Sequence, residues 1–290
     1  MEHKHKNRPR VSYNNIKSYD DELAIVLKLL ENTKIVEKEI LDEFEEVFKE
    51  LVKLYEEEFP FYFKNGIINE RELAILVASL MNGKGSIETR IKSALDEMES
   101  KVRQLQNSRL MAWLILDYEY TAQKTAASIN LDYTQYMIRM TPQQKKEKVL
   151  QPWCKDGKTF IDRVEANTKD MDKKLRLVII QGIKRGWSIE KMTEVFRTIT
   201  GTAAYKAARL LRTETMAVYS KVTKEMYLEK GIEYVEIIGD AACGGICLDY
   251  VGEAIPLREA ELGDDLPPYH PNCACSFCAY EEFVENSDDE

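Results

Sequence analysis

The 290-residue sequence has no long apolar run, and it contains only 13 glycines and 8 prolines. None of its apolar runs approaches the roughly 18 residues that a membrane-spanning helix needs. The basic, polar start is not followed by the apolar region of a secretory signal peptide. We therefore expect no membrane partner and folding in a cytoplasm, where thiols stay reduced and metal ligation is favoured over disulfides.

Sequence motifs typical of many enzymes are also missing. The chain has no phosphate-binding glycine loop, no dinucleotide-binding fingerprint and no His-Glu-x-x-His zinc motif. Only one of the three histidines, His270, lies outside the first five residues, so a cysteine nucleophile would find a single candidate base. We assign no catalytic residues and predict that the protein is not an enzyme.

Charge is distributed unevenly along the chain. Residues 141–230 hold 20 Lys and Arg against 11 Asp and Glu, whereas residues 231–290 hold 1 against 15. A basic segment beside an acidic one indicates a localised anionic partner, and we expect weak, non-specific DNA contacts that fall with salt. The alternative is a solvated helical surface. The candidate DNA-binding residues are Lys173, Lys174, Arg176, Lys184, Arg185, Lys206 and Arg209.

The hydrophobic pattern is helical over most of the chain, because apolar residues recur at three- and four-residue steps. Glycine and proline fall mainly at the ends of the helical segments, where helices stop. Short alternating patterns near the carboxy terminus predict strands. Helices are predicted over residues 18–59, 70–81, 86–129, from 142, over 160–184, from 188 and over 202–229, and strands over 234–238, 254–257 and 276–280.

These patterns predict an α+β protein. A mainly helical amino-terminal region with long helices is followed by a helical and small-β carboxy-terminal domain that carries a Cys/His cluster. We place the regions at residues 1–150, 151–282 and 283–290, the last being an acidic tail. Residues 1–16 are expected to form a flexible arm.

Five of the six cysteines lie between residues 243 and 278, together with His270. Structural zinc sites use four nitrogen or sulfur ligands, often as two closely spaced pairs. Such an ion would supply folding energy on the order of 10 kcal/mol to a domain with little core. The candidate zinc ligands are Cys243, Cys247, His270, Cys273 and Cys275, and Cys275-x-x-Cys278 is an overlapping alternative pair. Unliganded buried thiols and disulfides formed outside the cytoplasm are the other interpretations.

An ordered series of motifs carries a family resemblance. Arg212-Thr213-Glu214 on a long helix is followed by the paired cysteines, a turn at Gly252 and Leu266-Pro-Pro-Tyr-His-Pro-Asn-Cys-Ala-Cys275. Residues 158–280 thereby resemble the carboxy-terminal domain of the Mu F-like minor capsid proteins, the head-morphogenesis proteins of tailed bacteriophages. Two departures are the spacing Cys243-x-x-x-Cys247, where the family commonly has Cys-x-x-Cys, and Ala274, where it usually has a basic residue.

The resemblance implies a minor capsid protein that associates with the portal during head assembly and acts in genome packaging or DNA ejection. It implies the portal protein as a partner, with scaffold or major capsid protein as further candidates. The expected location is the interior of the virion head, and the host cytoplasm during viral assembly. We expect the helical region at residues 1–150 to contact the portal. The alternative is a cytoplasmic zinc-dependent enzyme such as a nuclease or protease.

The structural motif of the resemblance comprises Arg212, Glu214 and Gly252. Arg212 and Glu214 are two residues apart on a helix, so their side chains do not face the same way. We therefore expect them to tie the helix to the small domain and not to carry out chemistry.

Overall fold

The computed structural model describes residues 19–81, 89–138, 140–239 and 245–280, which form seven α-helices and five short strands. The helices are α1 (Tyr19–Glu58), α2 (Glu70–Met81), α3 (Arg90–Ser128), α4 (Tyr133–Ile138), α5 (Pro142–Leu150), α6 (Phe160–Arg185) and α7 (Ile189–Lys230). The strands are β1 (Phe63–Lys64), β2 (Ile67–Ile68), β3 (Tyr234–Ile238), β4 (Ala254–Pro256) and β5 (Ser276–Ala279). The predicted α+β class is confirmed. The predicted arm at residues 1–16 and the tail at residues 283–290 lie outside the described residues.

The carboxy-terminal sheet is antiparallel, with the strand order β4-β3-β5. Val235 of β3 lies opposite Ile255 of β4 and Ala279 of β5. Ile238, the last residue of β3, pairs with Ser276, the first residue of β5. The loop that follows β3 and the segment that precedes β5 therefore meet at the same end of the sheet.

A short hairpin, β1–β2, follows α1 and was not predicted. Its turn residues, Asn65 and Gly66, have φ angles of 55° and 77°, the left-handed pair that a two-residue hairpin turn requires. The strands have only two residues each, which is too short for an alternating pattern to stand out from the sequence.

Helix α7 corrects the predicted break near residue 201, because one helix of 42 residues spans the predicted pair. The hydroxyl groups of Thr198, Thr200 and Thr202 donate to backbone carbonyls four residues earlier, at 3.0, 3.0 and 2.8 Å. These hydrogen bonds satisfy the threonine side chains inside the helix. Gly201 lies in the interior of this helix, at the usual modest cost.

The end of α6 and the start of α7 follow the predicted pattern. Gly186 has a φ of 60°, and the amide of Trp187 donates to the carbonyl of Gly182 at 2.8 Å. A left-handed glycine after the last turn allows this helix-closing bond. The hydroxyl of Ser188 then accepts a hydrogen bond from the amide of Lys191 at 3.3 Å, which caps the next helix.

The chain groups into two compact units, of which the first comprises the described parts of residues 19–34, 111–160 and 210–280. In its core, Val26 and Leu29 of α1 pack against Tyr219 of α7. The rings of Tyr219 and Tyr227 also pack against Phe277 of β5, with centroids 6.2 and 6.1 Å apart. The small sheet is thus buried against aromatic residues of α7.

The second unit comprises the described parts of residues 35–110 and 161–209. Its segment of α1 buries a stripe of apolar side chains at three- and four-residue steps, as expected for an amphipathic helix. The Tyr55 ring meets Phe196 edge to face at 6.0 Å. No described helix combines the length and apolarity that a membrane span requires. The buried stripe consists of Val36, Ile40, Phe44, Val47, Phe48, Leu51 and Tyr55.

Candidate metal centre

The sheet topology brings together two segments that carry cysteine and histidine. Cys247 lies on a short 3-10 turn, Gly245–Asp249, in the loop between β3 and β4. His270, Cys273 and Cys275 lie on the segment that leads into β5. Because both segments meet at the same end of β3, residues 23 or more positions apart become neighbours.

The side chains of Cys247, His270 and Cys273 form a compact group. The Sγ atom of Cys247 lies 3.1 Å from Nε2 of His270 and 3.8 Å from Sγ of Cys273. The ligand atoms of the three side chains all lie within 4.8 Å of one another, which is close enough for them to hold a metal ion. The structure thus brings three of the predicted ligands close together.

The imidazole of His270 is oriented by its own loop. Its Nδ1 atom lies 2.9 Å from the carbonyl oxygen of Pro271, and a carbonyl oxygen can only accept, so Nδ1 carries the proton. In the neutral imidazole, Nε2 then carries the lone pair, and it lies 3.1 Å from Sγ of Cys247. A metal-bound histidine commonly donates its second ring N–H in this way, which fixes the tautomer for ligation.

Cys275 packs in the same buried cluster as Cys247 and Cys273 but is not one of the three grouped ligands. Cys247, Cys273 and Cys275 are all buried in one cluster, against which Tyr269 packs. A hydrogen bond from the Cys275 side chain, opposed by burial and aided by backbone amides, lowers the pKa of the Cys273 thiol to about 5. The thiolate is the form of cysteine that binds metals.

The two remaining cysteines of the carboxy-terminal region are Cys243 and Cys278. Cys243 lies outside the described residues. Cys278 lies opposite Glu236 in the sheet, and its side chain points away from that of Cys275 because the two are three residues apart along an extended chain. Burial, together with the charges of Glu236 and Glu22, raises the pKa of Cys278. Cys278 is not among the three grouped ligands.

The structural motif on α7 holds the loops around the metal centre. The hydroxyl of Thr213 accepts a hydrogen bond from the amide of Asn272 at 3.1 Å, within the His270–Cys273 turn. Both carboxylate oxygens of the buried Glu214 accept from the indole N–H of Trp153 at 3.1 Å. The predicted structural roles fell on Arg212 and Glu214, and Thr213 between them proves to be the residue that bonds this turn.

Gly252 and Arg212 complete the predicted structural motif. Gly252 has a φ of 78°, and its amide donates to the carbonyl of Ile237 in β3 at 3.2 Å. The left-handed conformation explains why glycine suits this turn. Arg212 is half-buried on α7.

Three of the seven candidate DNA-binding side chains are paired with carboxylates. Lys174 and Lys206 both contact Asp170, at 2.9 and 2.7 Å. Arg176 contacts Asp96 at 2.6 Å and Asp172 at 2.7 Å. These carboxylates offset part of the positive charge that the composition indicated. Lys173, Lys184 and Arg185 are exposed, and the guanidinium of Arg209 lies 5.9 Å from the ring centre of Tyr205.

Sequence reasoning missed several buried acids in the first unit, among them Glu22, Asp117 and Glu236. The Glu22 carboxylate accepts hydrogen bonds from Tyr219 at 2.8 Å, Tyr227 at 2.9 Å and Ser128 at 3.2 Å. Burial outweighs these bonds and raises the pKa of Glu22 to about 7. A signal existed, since Glu22 is four residues before Val26 and so shares its apolar helix face.

Asp117 is the second buried acid. Its carboxylate accepts a hydrogen bond from the hydroxyl of Thr215 at 2.7 Å, and burial raises its pKa to about 7. It follows the buried Leu114 by three residues on α3, which again places a charged residue type on an apolar face.

Comparison with known proteins supports one family. No curated protein and no solved structure matches the chain significantly. Residues 173–278 match the family model described as phage Mu protein F like protein. This segment is a little over a third of the chain and runs from within α6 to Cys278, so it includes α7, the sheet and the metal centre. The resemblance to the Mu F-like phage head proteins is therefore confirmed over this part of the chain.

Proposed function

We propose that this protein is a minor head protein of a tailed bacteriophage, located in the virion and active in head assembly. The observation that carries the proposal is the Mu F-like match over residues 173–278. The matched segment contains the motif on α7 and the loops that Thr213 and Glu214 hold. The family is one of structural head proteins, which agrees with a non-enzymatic role.

Within this role, we propose the portal as the partner that the protein meets in the host cytoplasm, and packaging or ejection of DNA as the process it serves. Helix α1 supports a protein partner, because Leu27, Ile35 and Leu41 are 58%, 59% and 52% exposed. Large apolar side chains that are exposed on a helix are candidates for contact with a partner. Scaffold and major capsid proteins are the next candidates.

The portal contact is tested with substitutions in the full chain and not with a truncation. Removing residues 1–150 would take away the parts of α1 and α3 that belong to the first unit. Replacing Leu27, Ile35 and Leu41 together by serine is expected to weaken co-purification with the portal protein of the same phage at least tenfold. The matched control replaces the exposed α1 residues Glu31, Lys38 and Glu45 by serine. Equal recovery of portal by the two variants would place the contact elsewhere.

We also propose that the metal of the candidate centre is zinc. The grouped donors are thiols and an imidazole, which are the usual zinc ligands. A catalytic zinc keeps one position open for water or substrate, whereas a structural zinc is enclosed by protein. The burial of Cys247, Cys273 and Cys275 favours a structural site, so it supports the head protein over the zinc-dependent enzyme.

DNA binding by the basic segment is proposed to be weak and non-specific. Six of the last ten residues, 281–290, are Asp or Glu, and they repel phosphate. A chain ending at Tyr280 keeps β5 and is expected to bind duplex DNA several-fold more tightly at low salt in a gel shift. Both forms should lose binding as salt rises, because Lys and Arg displace counterions from DNA. Tight binding at physiological salt, or no gain on truncation, would contradict this electrostatic account.

A further inference from the structure

We propose that a groove along α7 binds a short peptide segment of a partner protein, one that carries a carboxylate beside an apolar side chain. The groove has a volume of about 610 Å³, and all the residues that line it belong to the first unit. It shares no residue with the metal centre, with the exposed apolar residues of α1 or with the candidate DNA-binding residues. The inference rests on the proposed head protein only for the kind of partner, and it goes beyond that role by placing a further binding site.

The floor of the groove is the face of α7 that carries Lys221, Lys224 and Leu228. These residues are three and four positions apart, so they share one side of the helix. One wall is the segment between α5 and α6, residues 151–155, and the other is residues 260–262. From Lys221 to Leu228 the helix rises roughly 10 Å, which matches about three residues of an extended peptide.

Both walls are held in place by contacts within the first unit. The indole N–H of Trp153 donates to the buried carboxylate of Glu214 at 3.1 Å, and Lys155 pairs with Asp264 at 2.9 Å. Gly263 directly follows the second wall, and a side-chain carbon added there would lie 3.5 Å from the Trp153 ring. The two walls therefore pack against each other beside the groove. A binding site that is already formed loses little conformational entropy when a ligand enters.

Two lysines on the floor supply hydrogen-bond donors for a carboxylate. The ammonium of Lys221 donates to the carbonyl oxygen of Gln151 on one wall, and that of Lys224 donates to the carbonyl oxygen of Ala260 on the other. An ammonium group has three N–H donors, so each of these carbonyls occupies only one of them. Both positive charges are thus directed to the walls, where they meet an anionic side chain that enters between them.

Lys224 is the residue that gains most from an anionic ligand. It is half-buried, and burial lowers the pKa of its ammonium although Glu261 and Asp265 act in the opposite direction. The two carboxylates therefore do not fully offset the cost of burying this charge. A carboxylate of the ligand would supply further negative charge, so the groove favours an anionic ligand over a neutral one.

The rest of the lining favours a peptide over nucleic acid. Pro152, Leu228 and Leu262 offer apolar surface, which an apolar side chain next to the carboxylate would cover. Glu225 and Glu261 also line the groove, and their charges oppose a chain of closely spaced phosphates. Apolar surface together with charges of both signs fits a peptide in which acidic and apolar residues alternate.

Fluorescence anisotropy of a labelled hexapeptide that alternates Glu and Leu tests the groove in the full chain. We expect saturable binding of one peptide per chain. Replacing its glutamates by glutamine should weaken binding about tenfold, because hydrogen bonds between charged groups are lost. Lys224→Met keeps the length of the side chain but removes its charge, so it should weaken binding of the Glu peptide about fivefold and leave that of the Gln peptide unchanged. The matched control is Lys230→Met, because Lys230 also lies on α7 and donates to a backbone carbonyl, that of Asn130.

Acetylation of lysines, followed by mass spectrometry, gives a second measurement that needs no variant. The Glu peptide should reduce acetylation of Lys221 and Lys224 in the wild-type chain and leave that of Lys230 unchanged. The proposal is overturned by an absence of saturable binding, by an equal loss of binding in Lys224→Met and Lys230→Met, or by full displacement of the peptide by an equal concentration of inorganic phosphate. The portal contact is measured separately with the α1 variants, so failure of the groove and failure of the proposed function are distinguishable.

Discussion

Treatment of the full chain with a zinc chelator is expected to destabilise the carboxy-terminal loops while the helices stay folded. Small zinc domains that are unfolded without metal gain about 10–16 kcal/mol from the ion. The first unit retains the aromatic core of Tyr219, Tyr227 and Phe277, so we expect a smaller loss, on the order of 5 kcal/mol. Hydrogen exchange should show the loss of protection at residues 245–253 and 266–275.

The matched comparison for this prediction uses single substitutions. Cys247→Ser should reproduce the effect of the chelator, and the chelator should then have no further effect. Cys154→Ser, whose thiol contacts Asp156 away from the metal centre, should behave as the wild type before and after chelation. Unchanged protection of residues 266–275 after chelation would contradict the prediction.

A falling stability between pH 5 and pH 8 is the second large effect that we expect, and Glu22→Gln should remove part of it. The pKa of Glu22 rises from 4.5 to about 7 on folding, so the folded state holds a proton that the unfolded state releases. The stabilisation is fully present below pH 4.5 and is lost as the pH rises through 7. At roughly 1.4 kcal/mol per pKa unit, the loss is about 3 kcal/mol.

Urea unfolding of the wild type and Glu22→Gln at several pH values measures this effect. Glutamine keeps an acceptor for Tyr219 and Tyr227 but does not titrate. The variant should match the wild type near pH 5 and exceed it by about 3 kcal/mol at pH 8. The quantity to compare is the difference in unfolding free energy between wild type and Glu22→Gln at each pH. The contributions of other titrating groups, Cys273 among them, are the same in both chains and cancel in this difference.

Asp117 provides an internal test of the same mechanism. Its pKa is raised from 3.8 to about 7, so Asp117→Asn should give a second pH-dependent gain, additive with the first if the sites are independent. Glu45→Gln on the exposed face of α1 is the control and should show no such trend. If the difference in unfolding free energy between wild type and Glu22→Gln does not change from pH 5 to pH 8, the role assigned to Glu22 is refuted.

Local sequence patterns predicted much of the secondary structure. The end of α6 at Gly186 and the cap at Ser188 follow from backbone conformations that few residue types adopt. The predicted break near Gly201 was wrong, because one continuous helix spans Ile189–Lys230. Glycine and threonine are weak helix formers, but tertiary packing overrides such a propensity, and Ala203, Ala204 and Ala207 beside Gly201 are buried.

The metal centre shows what a single sequence leaves open. Clustering indicated Cys243, Cys247, His270, Cys273 and Cys275 as candidates, and the spacing alone also allowed Cys278. Among the described residues, the fold groups only Cys247, His270 and Cys273, and the register of β5 against β3 places Cys278 opposite Glu236. Registers depend on long-range packing, which a local pattern does not specify.

The hydrogen bonds of Glu22 have a consequence for the order in which the chain folds as it is synthesised. They join residues 197 and 205 positions apart, so the start of α1 lacks its α7 partners until the ribosome has released α7. The last strand, β5, emerges later still and covers Tyr219 and Tyr227. We therefore expect the first unit to complete its folding only after β5 has left the ribosome, with part of the apolar face of α1 exposed to chaperones or to a waiting partner until then.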